Sequence, residues 1–492
     1  MSRFRVPPVV LVLALLLALD PSSPTANAQT PAPLAAAAQP LSDGVPQVAV
    51  VRLRAVLAGK LSDDDRRAAT VKLGEALIAA EQPDEALKIL SDARLPDSVE
   101  TRFLKAQGLA ALARWTDALP LYQQVAADPA TPLRPDALLG QAEALRALNR
   151  TDEALQTLAG LTNDRRWGSR ARFLSAELLL AKKDIAGAAR TVDSVEPASA
   201  AERKMRRFLR GRIEWEANQS EKAIEMFASI LRNPEGAPHS TLIAALFAIA
   251  DAHLQMKTPG AGDDFLEGFI DRYPTDPDLP LVFAKLEQLY AAERKQGRHE
   301  LPRWSTDPAQ PRRALAQWYL ARAELRMGNR EVALQILEEL RAAHPPLPAL
   351  AEAFLSSAEL ALDAGQLDRA FEALDAARAL QPSAALLERI EFLSARAQYS
   401  AQRFDGAAEA FRKLARVRTS AAANDALYNA SLAWLQAGDP AQAAAANHDL
   451  KQRGADAQTQ GDLALEQGLI EAARGGNAAG EALQKFLQQF PA

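Results

Sequence analysis

A short block of small and apolar residues recurs about every 34 to 37 residues along this chain. Its clearest copy is Met327-Gly328-Asn329-Arg330-Glu331-Val332-Ala333-Leu334, followed by Leu337, Leu340 and Pro345. Self-similarity at that period constrains the fold strongly, because one short helical pair cannot bury its own apolar face and must stack on copies of itself. At 492 residues the chain is too long for one compact core. A stacked array removes the need for several separate cores, since it grows by adding neighbours. Charged residues make up 24% and aromatics 6%, with alanine abundant, which suits packed helices better than sheets.

The formal net charge is -5. Removing the first 28 residues, which carry Arg3 and Arg5 against Asp20, leaves the remainder slightly more acidic. An acidic body without a basic run argues against nucleic acid, whose backbone attracts clustered Lys and Arg. The same sign disfavours anionic lipid.

Ser2-Arg3-Phe4-Arg5 precedes the apolar run Val9 to Leu19, then Asp20-Pro21 and the small-residue site Ala26-Asn27-Ala28 before Gln29. Residues 1–28 therefore read as a secretory signal peptide cleaved after Ala28. The run is well short of the roughly 20 apolar residues of a spanning helix, so no membrane insertion is expected after cleavage. The chain has no cysteine, which excludes a lipid-modified Cys and any disulfide. Export without cysteine points to a bacterial periplasm.

Residues 29–44 are rich in Pro and Ala and are expected to form a disordered leader. Helical patterning starts near Val45, and residues 45–275 read as a first array of helix pairs. The first clear pair is Arg66 to Ala80 and Asp84 to Ala93, joined by Glu81-Gln82-Pro83. Pro83-Asp84-Glu85 suits a helix start, where proline's missing N–H costs nothing and the dipole favours acids.

The copies align when a small residue of each first helix is numbered position 8 and one of each second helix position 20. Position 8 is Gly74, Ala106, Ala142, Ala176, Gly211, Ala250, Ala321, Ala358, Ala395 and Ser431. Position 20 is Ala86, Ala118, Ala154, Ala188, Ala223, Gly262, Ala333, Ala370, Ala407 and Ala443. Four residues later come Leu90, Tyr122, Leu158, Val192, Phe227, Leu266, Leu337, Leu374 and Phe411, and closing prolines stand at Pro274, Pro345, Pro382 and Pro491. This pattern resembles the tetratricopeptide repeat family. The resemblance implies an all-α fold, a right-handed α-solenoid of about ten or eleven helix pairs, with a groove lined mostly by first helices. The run Phe269-Ile270-Asp271-Arg272-Tyr273-Pro274 looks like repeats of envelope proteins, including those of outer-membrane assembly and Tol-associated division.

The phase breaks between Gly262 and Ala333, and residues 276–312 read as one helix followed by an irregular loop. Its partner helix is missing from the pattern; Gly297 to Pro311 holds Pro302, Trp304, Pro308 and Pro311 instead. Two readings stand: an insertion packed on the surface, or a hinge or docking loop exposing Trp304 with Arg298, Arg303, Arg312 and Arg313. Residues 313–492 resume as a second array. At its end Leu483, Phe486, Leu487 and Phe490 form an apolar stripe, either buried on its own first helix or available for oligomerisation.

Chemistry is not apparent. The five histidines lie far apart, none with the i, i+4 spacing of a helical zinc site, so no metal and no cofactor is expected. Neither a phosphate loop nor a nucleophile elbow occurs. Asp63-Asp64-Asp65 and Asp263-Asp264 read as acids in the first turns of helices. What stands out is position 5, three residues before position 8: Phe103, Phe173, Phe208, Phe247, Trp318, Phe392 and Tyr428. The resemblance places it towards the groove, where aromatics either grip a partner or pack against the adjacent unit. Beside it, position 9 runs Glu75, Gln107, Glu143, Glu177, Arg212, Asp251, Arg322, Glu359 and Arg396. The chaperone-binding members of the family carry Lys at position 5 and Asn at position 9, a pair this chain never has.

The expectation is a non-enzymatic periplasmic scaffold that binds a peptide or protein partner of the envelope. Its groove would use Phe103, Phe173, Phe208, Arg212, Phe247, Trp318, Arg322, Phe392, Arg396 and Tyr428. The alternatives are a self-associating structural component of an envelope assembly, or a cell-wall hydrolase, which would need a domain for which the sequence has no room.

Overall fold

The computed structural model describes residues 32–92, 94–293, 300–345, 349–417, 420–454 and 457–473. Among them every regular element is an α-helix. The chain divides into two compact units, Met1–Gln255 and Met256–Ala492. The expected signal peptide and the stripe Leu483, Phe486, Leu487 and Phe490 lie outside the described residues.

Unit 1 begins with α1 (Ala32–Ser42) and α2 (Pro46–Ala58). Five helix pairs follow: α3 (Asp63–Ala79) with α4 (Pro83–Leu90), α5 (Val99–Ala111) with α6 (Trp115–Ala126), α7 (Arg134–Ala147) with α8 (Thr151–Ala159), α9 (Gly168–Ala181) with α10 (Ile185–Asp193), and α11 (Ala200–Glu216) with α12 (Ser220–Arg232). α13 (His239–Gln255) closes the unit. Each helix packs on the next, and first helices also touch one another: α3 with α5, α5 with α7, α9 with α11, and α11 with α13.

Unit 2 holds α14 (Pro259–Arg272), α15 (Leu279–Ala292) and the short α16 (Leu301–Ser305). The pairs α17 (Arg312–Arg326) with α18 (Arg330–Ala343), α19 (Leu350–Asp363) with α20 (Leu367–Ala379), α21 (Ala384–Ser400) with α22 (Phe404–Val417), and α23 (Ser420–Ala437) with α24 (Pro440–Gln452) follow, then α25 (Ala457–Ala473). Here α15 touches α17, α19 touches α21, and α23 touches α25.

The turn inside each pair repeats at the backbone. Glu81, Ala113, Asn149, Lys183 and Asn218 in unit 1, and Gly328, Gly365, Gln402 and Gly438 in unit 2, all stand seven residues after position 8, with φ between 56° and 88°. That left-handed residue ends the first helix. The next residue's N–H then reaches back five positions, as Gln82 to Leu77, Arg114 to Leu109 and Asn329 to Glu324, at 2.8–2.9 Å. Such bonds satisfy carbonyls that a helix end leaves orphaned and reverse the chain within a few residues.

The small residues fix how closely the helices cross. The alanines of position 20 are buried in both units. At position 8 the spacing is tighter where glycine occurs: a Cβ on Gly74 would lie 2.6 Å from Leu90 Cδ2, and one on Gly211 2.6 Å from Phe227 Cε1. Each contact joins position 8 to the residue sixteen further on, so one alignment of the sequence sets one packing geometry.

Three expectations change. The leader is ordered from Ala32, because α1 lays Leu34 and Ala37 on the core formed by Ala49, Val50, Leu53 and Leu73. A run of alanines has high helix propensity, and one apolar stripe suffices to dock it. The division of the chain falls at Gln255/Met256, ahead of the phase break. Finally, Asp263-Asp264 does not open its helix: α14 starts at Pro259, and Asp263 is buried in its second turn. Burial first, then the charges of Glu293 and Glu267, raise the Asp263 carboxyl to about 6.

Candidate partner-binding face

The aromatic stripe belongs to the core. Phe103, Phe173, Phe208 and Trp318 are only 4–6% exposed, and Phe247, Phe392 and Tyr428 are partly buried. The reason is local geometry. Position 5 lies three residues from position 8, on the side that faces the helix's own partner. Phe103 meets Tyr122 edge-on at 6.1 Å between ring centroids, Phe208 meets Phe227 at 5.5 Å, and Phe392 meets Phe411 at 5.4 Å. Rings committed to these contacts stack the two helices of one repeat.

Trp304 is also inside. It is fully buried on α16, edge-on to Phe283 at 5.6 Å, and its Nε1 donates to Asp271 Oδ1 at 2.7 Å. Arg303 donates to both oxygens of Asp271, at 2.7 and 3.0 Å. Arg312, buried too, pairs with Asp307 at 2.7 Å and donates to the carbonyls of Ile270 and Asp271. Burial alone would push the Asp271 carboxyl up, but the hydrogen bonds from Arg303 and Trp304 hold it below the usual carboxylate range. The segment is thus an insertion sewn onto the end of α14 rather than an exposed docking loop. Of the four arginines expected to face a partner, Arg313 is exposed and Arg298 lies outside the described residues.

Position 9 is what the first-helix faces present. In unit 1, Glu75 pairs with Lys72 at 2.7 Å, and Glu177 faces Arg212 at 3.7 Å. Burial pushes the Glu177 carboxyl up, against the pull of Arg212 and Arg146. Between these two carboxylates the row changes. Gln107 is 5% exposed and Glu143 2%, and the Oε1 atom of each is buried without a hydrogen-bond partner. Tyr122 Oη and Arg146 Nε are orphaned in the same way. Burial raises Glu143 to about 7, although Arg146 and Arg170 pull it down, while Glu177 adds to the rise.

In unit 2 the row is closed by ion pairs at one end and open at the other. Arg322 donates to Glu287 at 2.9 Å and lies over the rings of Trp318 and Tyr319, at 5.4 and 5.7 Å. Arg326 takes the same carboxylate at 2.6 Å. Glu359 faces Arg389 at 3.5 Å, and Arg396 is exposed on α21. Of the sequence-predicted groove residues, Arg212, Arg322 and Arg396 therefore reach the face, and the aromatic members support it from beneath. Gln107, Glu143 and Arg146 were missed as site residues. Their only signal was periodic: two share position 9, and Arg146 is one turn further along the same helix.

Comparison with known families matches residues 103–169, 309–385 and 392–457 to the tetratricopeptide repeat. A comparison with curated proteins finds no match. Among solved structures, the crystal structure of the APC/C hetero-tetramer Cut9-Hcn1 aligns at 14% identity over 92% of this chain and 92% of that one, with a TM-score of 0.31. The structure of Naa15/Naa10 bound to HypK-THB aligns at 14% identity over 93% of this chain and 79% of that one, with a TM-score of 0.29. Superpositions this loose carry no argument about function, and the fold stands on the helices themselves.

Proposed function

We propose that this chain, a tetratricopeptide repeat protein, is a non-catalytic scaffold of the bacterial cell envelope that holds a peptide or protein segment against its first helices. Stacked repeats supply an extended surface rather than a closed pocket, which suits an extended ligand. The observation that carries the reading is the division of labour along each first helix. Position 5 is spent on packing, while position 9 sets Arg212 and Arg396 at the surface and leaves the Oε1 atoms of Gln107 and Glu143 without a hydrogen-bond donor. Export rests on the sequence of residues 1–28, with its apolar run and its Ala26-Asn27-Ala28 site.

Charge reversal on the face tests the reading. Arg212→Glu with Arg396→Glu replaces exposed or half-exposed side chains, and because Arg212 also faces Glu177, melting curves check that the variant is folded. Co-purification from cells is expected to lose its partner by about tenfold relative to wild type, in line with rim charges of an interface acting mainly on encounter. Glu221→Lys with Asp405→Lys, on the second helices α12 and α22, serves as the control and is expected to keep it. Equal recovery with both pairs would reject the first-helix face. A periplasmic fraction lacking the protein, or an intact residue 1–28 segment on the exported form, would reject the assigned compartment and processing.

A further inference from the structure

Three buried oxygens without partners lie on the adjoining helices α5, α6 and α7. Tyr122 links the three helices: its ring touches Phe103 on α5, and a Cβ on Gly140 of α7 would lie 2.5 Å from its Cε1. Gln107 is one turn beyond Phe103, and Glu143 is three residues beyond Gly140. Glu143 is also close enough for its charge to act on the Tyr122 hydroxyl. Gln107 Oε1, Tyr122 Oη and Glu143 Oε1 all lack a hydrogen-bond partner. Native chains seldom leave one such buried group unsatisfied, and here three adjoining helices carry one each.

We propose that Gln107, Tyr122 and Glu143 form a subsite for a primary ammonium group, a lysine side chain or a free amino terminus of the bound segment. This rests on the first-helix reading above. An ammonium carries three N–H donors and no acceptor, and three oxygens await donors here. A neutral donor would satisfy one oxygen without favouring the carboxylate, whereas a cation adds to the pull of Arg146 and Arg170 towards its ionised form. A guanidinium fork fits poorly, since its donors lie in one plane and favour bidentate carboxylates.

The charges acting on Glu143 are Arg146 on its own helix and Arg170 and Glu177 on α9, with Tyr122 facing it from α6. Arg146 also acts on Glu177. Binding then takes the proton off Glu143, and affinity rises with pH through about 7.

Three glycine-serine heptapeptides with a carboxy-terminal fluorophore provide the test, by anisotropy in buffered salt. One is N-acetylated with a central lysine, one has a free amino terminus and a central norleucine, and one is N-acetylated with norleucine. Wild type at pH 8 is expected to bind the acetylated lysine peptide, the free-amine peptide, or both about tenfold more tightly than the third. Whichever arm binds names the source. Glu143→Gln should erase the preference, Tyr122→Phe should reduce it, and lowering the pH from 8 to 6 should shrink the preference for the acetylated lysine peptide wherever Glu143 is kept. Melting curves check that both near-isosteric variants fold. Equal binding of all three peptides by wild type overturns the subsite and leaves the face intact. A preference that persists in Glu143→Gln also overturns it. Binding of none overturns both.

Discussion

Gly211 sits where a side chain does not fit, with Phe227 Cε1 2.6 Å from the place a Cβ would occupy. The Phe227 ring is buried and held against Phe208, so it cannot swing clear. Gly211→Ala is therefore expected to destabilise unit 1 by about 1–3 kcal/mol through overpacking, despite alanine's better helix propensity. A raised melting temperature would show that the ring gives way. Glu143 supplies a second prediction, with a definite sign. Its carboxyl titrates near 4.5 unfolded and at about 7 folded, so between those values the folded chain binds more protons than the unfolded one. Stability from this group is fully present below about 4.5 and is lost as pH rises through 7. The loss approaches about 3 kcal/mol, from a shift converted at roughly 1.4 kcal/mol per unit. Glu143→Gln should narrow the melting difference between pH 5 and pH 8; an unchanged difference would mean that the carboxyl is solvated.

At the scale of an element, α16 shows how a stretch without repeat pattern becomes part of the stack. Trp304 fills the space beside Phe283, and Arg303 and the indole share one carboxylate, Asp271. Trp304→Ala is expected to cost about 3–5 kcal/mol, as loss of a fully buried aromatic does. Arg303→Ala removes a largely exposed pair and should cost under about 1 kcal/mol. Similar effects of the two would mean that the ion pair, not the ring, anchors α16. The repeat pairs were legible because their small residues recur in phase and each answers to a neighbour at a fixed distance in sequence. The burial of Trp304 was not, because its cover comes from α14 and α15, and no period links them to it. The helix α1 was missed for a related reason: the prolines and glutamines in and around it read as a linker, while the core it docks on, through Leu34 and Ala37, comes from α2 and α3. The aromatic stripe was seen with packing as one of its two readings, but not that the packing is within a pair, since periodicity gives spacing but not which neighbour a face meets.

At the scale of the molecule, each unit repeats one structural rule: a left-handed turn residue, a close crossing at position 8, and a first helix whose ninth position is polar or charged. Function then depends on what that position meets. A photo-crosslinking residue placed at Arg212 or Arg396 reports on the first helices, and the same residue at Glu221 or Asp405 reports on the second. Irradiation in living cells is predicted to give partner adducts from the first pair and none from the second. Adducts only from Glu221 and Asp405 would contradict the claim that the first helices hold the partner.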